Sequence, residues 1–351
     1  MLRESDINQC RALLREGSRT FHAASFLLPK EVRDRATALY AFCRVADDAV
    51  DHGGGHAALD ALRERLDRVY AGHPHAHPID RAFAVVIAEC AIPRVVPDAL
   101  LEGLAWDVEG RTYTELSDVL AYAVRVAGTV GVMMALAMGV RARESVARAI
   151  DLGVAMQLSN IARDVGEDAR AGRIYLPRRW LDELDIDSGT FADAATCAAG
   201  VTQVVRRLLV VGDELYQRGS SGIDGLPWTC RPGIRAARAL YAEIGREVER
   251  RGDTAMSTRA VVTSRRKLRV LIGANVPGRG RRSADWSAPA VLAEAAFLVA
   301  AVDAAEAPPR SQRAPSVENT IALFEKLGQR DRATRPAFAA AFDGRSQRCP
   351  T

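Results

Sequence analysis

The sequence predicts an all-α protein, on three observations. Alanine, arginine and leucine are abundant in a chain of 351 residues in which aromatic residues are only 6%. Those abundant residues are strong helix formers. Apolar residues return every three or four positions along most of the length, and no long stretch alternates β-branched and polar residues as a half-buried strand would.

Taken in order, Ile7, Cys10, Leu13 and Leu14 recur at helical spacing from Glu4 to Arg15, and Gly17 follows as a stop. Pro29 precedes a helix expected from about Val32 to Asp51, closed by Gly53, Gly54 and Gly55. GHPHAHP at 72–78 is a loop. It holds three of the five histidines gathered between His52 and His77 and reads as a surface turn. Helical patterns resume at Asp80 to Cys90, Pro97 to Glu109, Leu116 to Gly139 and Ser145 to Ala171, with Pro177 beyond the last. Thr202 to Gln217, Ile234 to Arg250 and Thr258 to Ile272 are further helices. After Asn275 come PGRGRRSADWS, an alanine-rich stretch and EAPPRSQRAPS, which read as linkers. The sequence therefore suggests a catalytic domain over 1–275 and a low-complexity extension over 276–351, with one short helix from Val317 to Leu327.

Hydrophobic residues make up 48%, ample for a buried core. The 48 basic and 44 acidic residues are interspersed, so a net charge of +4 does not point to nucleic acid. Six cysteines without CxxC spacing read as reduced thiols of a cytoplasmic protein. No signal peptide is expected at MLRESDINQC. No segment is expected to reach the roughly 20 apolar residues of a membrane span. Any membrane contact is then peripheral.

Two segments carry chemistry. In YAFCRVADDAVD, Tyr40, Arg44, Asp47 and Asp51 line one helix face. In QLSNIARDVGEDARAGRIYLP, Gln157, Asn160, Asp164 and Asp168 do the same, with Arg163 and Arg173 nearby. One such face could be solvated helix surface. Two copies of an aspartate pair at i,i+4, each self-repelling by a few tenths of a kcal/mol, call for a cation. Carboxylate oxygens suit Mg²⁺, which keeps waters and completes its shell with phosphate oxygens. A di-iron bundle site would need Glu-x-x-His pairs, and neither segment contains histidine.

With these motifs, the chain resembles the squalene and phytoene synthase family over about residues 5–275. CRVADDAVD matches its first aspartate-rich motif and NIARDVGEDARAGRIYLP its second, supported by VAGTVG at 126–131 and SRTFHAASFLLP at 18–29. The resemblance implies an isoprenoid-synthase-like helical bundle around a central cavity. Asp47, Asp51, Asp164 and Asp168 would bind Mg²⁺, or alternatively Mn²⁺, and with it the substrate diphosphates. Ser18, Arg19, Arg44, Arg163 and Arg259 would contact diphosphate. Tyr40, Gln157, Asn160 and Tyr241 would line the reacting centre, and Phe21 would face the prenyl chains. The pattern departs at YAVRVAG, where many relatives carry a second tyrosine and this chain has Val124 beside Tyr122.

The activity this implies is head-to-head condensation of two geranylgeranyl diphosphates to phytoene through a cyclopropyl diphosphate, in carotenoid biosynthesis, without nicotinamide. The alternatives are a squalene or dehydrosqualene synthase acting on farnesyl diphosphate, and a catalytically silent assembly factor of the same fold. A silent factor would be expected to lose aspartates, and both motifs are intact. Ala127, Ala135, Ala137 and Ala155 are candidates for lengthening the cavity. Gly128 and Gly131 serve either close helix packing or the cavity wall. The basic stretch at 257–271 suits diphosphate or an anionic membrane surface better than nucleic acid, because it lacks interleaved aromatics.

Overall fold

The computed structural model describes residues 2–186, 194–255, 257–274 and 291–306; the side chains of Arg19, His52 and residues 194–198 are not part of that description. The chain divides into units 1–306 and 307–351. The expected boundary near 275 and the short helix at 317–327 both lie outside the described residues.

Fourteen α-helices and no strand occur among the described residues: α1 (Glu4–Gly17), α2 (Arg19–Ser25), α3 (Lys30–Ala49), α4 (Gly55–Tyr70), α5 (Pro78–Cys90), α6 (Val95–Val108), α7 (Leu116–Ala123), α8 (Thr129–Ala137), α9 (Arg143–Arg170), α10 (Arg178–Asp182), α11 (Ala194–Ser221), α12 (Arg231–Arg251), α13 (Ser264–Ala274) and α14 (Ala296–Ala304). Short π-helical turns follow α3 at Val50–Gly54 and join α7 to α8 at Val124–Gly128. Such turns insert one extra residue per turn and occur disproportionately at functional sites.

α9 is the axis of the bundle. Its 28 residues pack against α8, α11, α12 and the second π-turn. Two glycines permit the closest approach. A Cβ at Gly131 would lie 2.3 Å from the Ala149 carbonyl oxygen, and one at Gly153 would lie 2.4 Å from that of Ala127. Both obstacles are backbone, so neither can move aside. Of the two readings open for Gly128 and Gly131, helix packing is the observed one: Gly128 in turn abuts Ile150.

Buried charges are paired, as desolvation requires. Asp151 on α9 accepts from Arg148 at 2.8 Å and from Arg218 of α11 at 3.2 Å. Asp6 and Arg81 link α1 to α5 at 2.6 Å. Glu243, 1% exposed, gathers Arg250 at 2.9 Å and Arg266 at 2.8 Å, which fastens α13 to α12. Phe42 and Phe83 stack at 3.8 Å between α3 and α5.

The structure departs from the sequence expectations in four places. α4 follows the glycine run directly: Gly55 adopts a φ of 50°, which only glycine reaches without strain, and the chain turns into a new helix burying Leu59, Leu62, Leu66 and Val69. α14 forms where the alanine-rich stretch read as linker. Its Leu298, Val299 and Val302 are buried, and its Phe297 packs over Arg125, which also lies over Trp106. The helix expected from Thr258 begins only at Ser264. Finally, one run among the described residues, Leu116–Ala137, is long and apolar enough to cross a membrane, contrary to the expectation of none. It is 67% buried in its most apolar window and carries Arg125 paired with Glu102 at 3.0 Å, as a largely buried core helix would.

Candidate active site

The two acidic segments end on helices that face each other. α3 carries Tyr40, Arg44 and Asp47, and the π-turn after it carries Asp51. α9 carries Gln157, Asn160, Arg163, Asp164 and Asp168. Arg173, just beyond α9, donates to Asp51 at 3.0 Å and so bridges the two faces.

Each carboxylate pair shows the strain expected of like charges in a partly desolvated place. Burial, and then the nearby Asp51, push the Asp47 carboxyl up to about 6. Burial and Asp164 push Asp168 up to about 7. Arginines hold the remaining charge. Arg44 pairs with Asp48 at 2.7 Å and reaches Asp47 at 3.5 Å. Asp164 receives Arg163 Nε at 2.8 Å and Arg259 Nε at 2.9 Å. Arg259 also lies 3.7 Å from Glu167. It stands on residues 259–263, a connection outside any helix and not the first turn of α13.

The other expected residues fall around this centre. Ser18 caps α2, its Oγ accepting from the Phe21 amide at 3.2 Å. Phe21 stacks on Tyr40 with ring centroids 5.6 Å apart. Burial pushes the Tyr40 phenol up to about 12, with Arg44 and Tyr241 close enough to act on it. Tyr241 of α12 also lies within electrostatic reach of Arg163. Asn160 donates to Gln157 at 3.3 Å. The backbone of Arg19 lies in the first turn of α2.

Sequence reasoning missed a cluster between the two faces. Asp107 of α6 accepts from Tyr175 at 2.7 Å and from Tyr122 at 2.9 Å. These rings and Tyr113 form a group with centroids 5.0 to 5.9 Å apart, Tyr175 stacked on both others and Tyr113 tilted against Tyr122. Burial raises the Asp107 carboxyl against the lowering effect of its two phenol donors. Asp107 in turn acts electrostatically on both Asp47 and Asp168. At the departure from the family pattern, the Val124 side chain is fully buried in the core. A lone aspartate in WDVEG gives no spacing signal, so only the fold could reveal it.

Three of the four alanines proposed to lengthen a cavity do not border open space. Ala135, Ala137 and Ala155 have no exposed surface and pack in the core; Ala127 alone is partly exposed. A hollow of about 690 Å³ is lined by Leu13, Val45, Glu64, His75, His77 and Asp80 among others, and by none of Asp47, Asp51, Asp164 and Asp168.

The donor set fits a hard divalent cation. Four carboxylates on two faces are oxygen ligands. Two of them, Asp47 and Asp168, are held well above their ordinary range by burial and then by repulsion from a neighbouring aspartate, which a cation would offset, and Asn160 Oδ1 is buried without a hydrogen-bond partner. Among the described residues no three acidic, histidine or cysteine groups converge on one point. An ion would thus take one or two carboxylates and fill its shell from water and diphosphate, the habit of Mg²⁺.

Residues 14–267 match the family model for squalene/phytoene synthase. The chain belongs to the squalene/phytoene synthase family. A phytoene synthase of Cereibacter sphaeroides is 48% identical over an alignment covering 93% of this chain and 95% of that one. A phytoene synthase of Rhodobacter capsulatus is 53% identical, covering 76% and 80%. Among solved structures, a dehydrosqualene synthase with ligand superposes with a TM-score of 0.70 at 27% identity, covering 77% of this chain and 95% of that one. A squalene synthase of Alicyclobacillus acidocaldarius gives 0.65 at 27%, covering 71% and 94%. The all-α, isoprenoid-synthase-like bundle expected from the sequence is the fold these proteins share.

Proposed function

We propose that the chain is a prenyltransferase that joins two geranylgeranyl diphosphates head to head to form phytoene in carotenoid biosynthesis. The single observation that carries this reading is the pair of facing aspartate faces, joined by Arg173 and Asp51, in a chain 48% identical to a phytoene synthase over nearly its whole length.

Asp47, Asp51, Asp164 and Asp168 would hold divalent metal, Mg²⁺ by the donor argument. Once bound, the metal supplies Lewis-acid neutralisation of a departing diphosphate. The protein's own groups do the rest. Arg44, Arg163, Arg173 and Arg259 stand against the carboxylates. Each can turn its guanidinium to diphosphate oxygens once those carboxylates take metal, and the planar fork suits that geometry. Ser18 and Arg19 would add contacts at the start of α2. Phe21 and Tyr40, stacked together, would form the apolar side against which a prenyl chain lies, with Gln157, Asn160 and Tyr241 around the reacting carbons. These walls must exclude water, because an allylic cation exposed to it would be quenched to an alcohol. Ionisation of one substrate, attack by the double bond of the other and loss of a proton give a cyclopropyl diphosphate. A second ionisation, rearrangement and proton loss give phytoene. Asp107, with the Tyr122 and Tyr175 phenols, stands where a proton can be passed between the two faces. No step consumes a reductant.

The test is incubation of purified protein and Mg²⁺ with geranylgeranyl or farnesyl diphosphate, without nicotinamide, and identification of the hydrocarbon by mass spectrometry. Phytoene from geranylgeranyl diphosphate, lost on chelation and in Asp47→Ala or Asp164→Ala, is the expected result. A thirty-carbon product from farnesyl diphosphate alone would replace it with the dehydrosqualene or squalene reading, to which the superposed solved structures belong.

A further inference from the structure

The basic stretch at 257–271 separates in the structure into two groups. Arg259 turns into the site and pairs with Asp164, and Arg266 is drawn inward by buried Glu243. Arg265 and Arg269 are exposed and have no ion-pair partner among the described residues.

On α13 these two arginines share the outward face with Leu268 and Ile272, which are 59% and 62% exposed. At 100° per residue, Leu268, Ile272, Arg265 and Arg269 fall within about one third of a turn, in two interleaved i,i+4 rows. The opposite side of α13 carries Arg266 on Glu243, and Leu271 packed on Ala24, Ala236 and Ala237. Burial and charge pairing thus account for the inner face and leave the outer one unexplained. Two like charges at i,i+4 repel, and exposed aliphatic side chains at the same spacing gain nothing from water. A surface that is apolar below and anionic above would relieve both.

α2 carries a second exposed apolar group. Its Ala24 belongs to the small core cluster on which Leu271 packs, and the residues just after the helix, Phe26 and Leu27, are 60% and 41% exposed. Both α2 and α13 pack on α12. Arg33 lies over the Phe26 ring at 5.7 Å. Phe26 and Leu27 beside Arg33, and Leu268 and Ile272 beside Arg265 and Arg269, thus stand on two segments that share α12 as their support.

We propose that α13 and the C-terminal end of α2 form a docking surface for an anionic lipid bilayer. Leu268, Ile272, Phe26 and Leu27 enter the headgroup–acyl boundary, and Arg265 and Arg269 meet lipid phosphates. α2 is capped by Ser18 and carries Phe21 at the candidate site, and Phe26 and Leu27 follow its C-terminal end. The surface stands on the exposed side chains alone; the catalytic reading adds that amphiphilic substrates and a hydrocarbon product would exchange with the same membrane.

The experiment is sedimentation of the full chain with vesicles of phosphatidylcholine, with and without phosphatidylglycerol, at low and high salt. The variants are Leu268→Ser/Ile272→Ser, Arg265→Gln/Arg269→Gln, and Val210→Ser, an exposed apolar residue of α11, as control. Wild type and control are expected to bind the anionic vesicles. The arginine pair should weaken that binding about thirtyfold and remove its salt dependence. The apolar pair should weaken binding to both vesicle types by at least about tenfold. Turnover of detergent-dispersed substrate should be unchanged in both pairs, which also shows that they are folded. Equal binding by all variants, an equal loss in the control, or no wild-type binding would overturn the proposal. So would intact vesicle binding with a raised KM in the arginine pair, which would assign those arginines to substrate diphosphate. Absence of turnover in wild type would count against the catalytic reading only, because vesicle binding is measured without it.

Discussion

Asp168→Asn should make the metal-free protein more stable while removing its activity. The Asp168 carboxyl is raised from 3.8 to about 7 by burial and by Asp164, so the folded state resists its ionisation. A difference of that size corresponds to at most about 4 kcal/mol. The side chain is partly solvated, and screening reduces this to about 1–2 kcal/mol. The sign follows from proton counting. Between the two values the native state binds more protons than the unfolded one, so stability falls as pH rises. The cost is complete above about pH 7, shrinks as pH falls, and is gone below the ordinary carboxylate value. Asparagine keeps the shape without the charge. In chelator at pH 7.5 the variant should melt about 2–4 °C above wild type by calorimetry, and by less than half that margin at pH 5. Mg²⁺ with inorganic diphosphate should then raise the melting point of wild type and not of the variant, by mass action. kcat should fall by roughly a hundredfold or more. No gain at pH 7.5, or an equal gain at both pH values, would refute the idea that Asp168 is held against its own charge.

Tyr175→Phe and Tyr122→Phe each remove one donor from Asp107, and each should lower kcat about tenfold to a hundredfold with a smaller effect on KM, read from steady-state kinetics. Arg173→Gln frees Asp51 and removes one cation from the site, so KM for the prenyl diphosphate should rise about tenfold, the equivalent of about 1.4 kcal/mol, while the fold measured by circular dichroism is unchanged. Gly153→Ala forces a Cβ to within 2.4 Å of the Ala127 carbonyl oxygen and should cost about 2 kcal/mol or more in urea unfolding. Gly110→Ala meets no atom within 4 Å, and its cost should come only from its φ of 64°.

What the sequence determined by itself was whatever depends on local periodicity. Tyr40, Arg44 and Asp47 lie three or four residues apart on one helix, so their common face follows from 3.6 residues per turn; so does that of Gln157, Asn160, Asp164 and Asp168. The helical class followed from composition for the same reason. Tertiary structure decided what depends on residues far apart in the chain. Asp107, Tyr122 and Tyr175 meet only because α6, α7 and the segment after α9 converge, and no spacing links them. Arg259 reaches Asp164 from the connection before α13, and Arg173 reaches Asp51 across the bundle. Gly131 and Gly153 seat the second π-turn and α8 on α9 where a glycine alone reads equally as a cavity wall. α4 and α14 were passed over because glycine and alanine are ambiguous locally; burial of Leu59, Leu62, Leu298 and Val302 against distant helices makes them helices. Arg265 and Arg266 are adjacent in sequence, and only the position of buried Glu243 decides that Arg266 takes an ion-pair partner there and Arg265 does not.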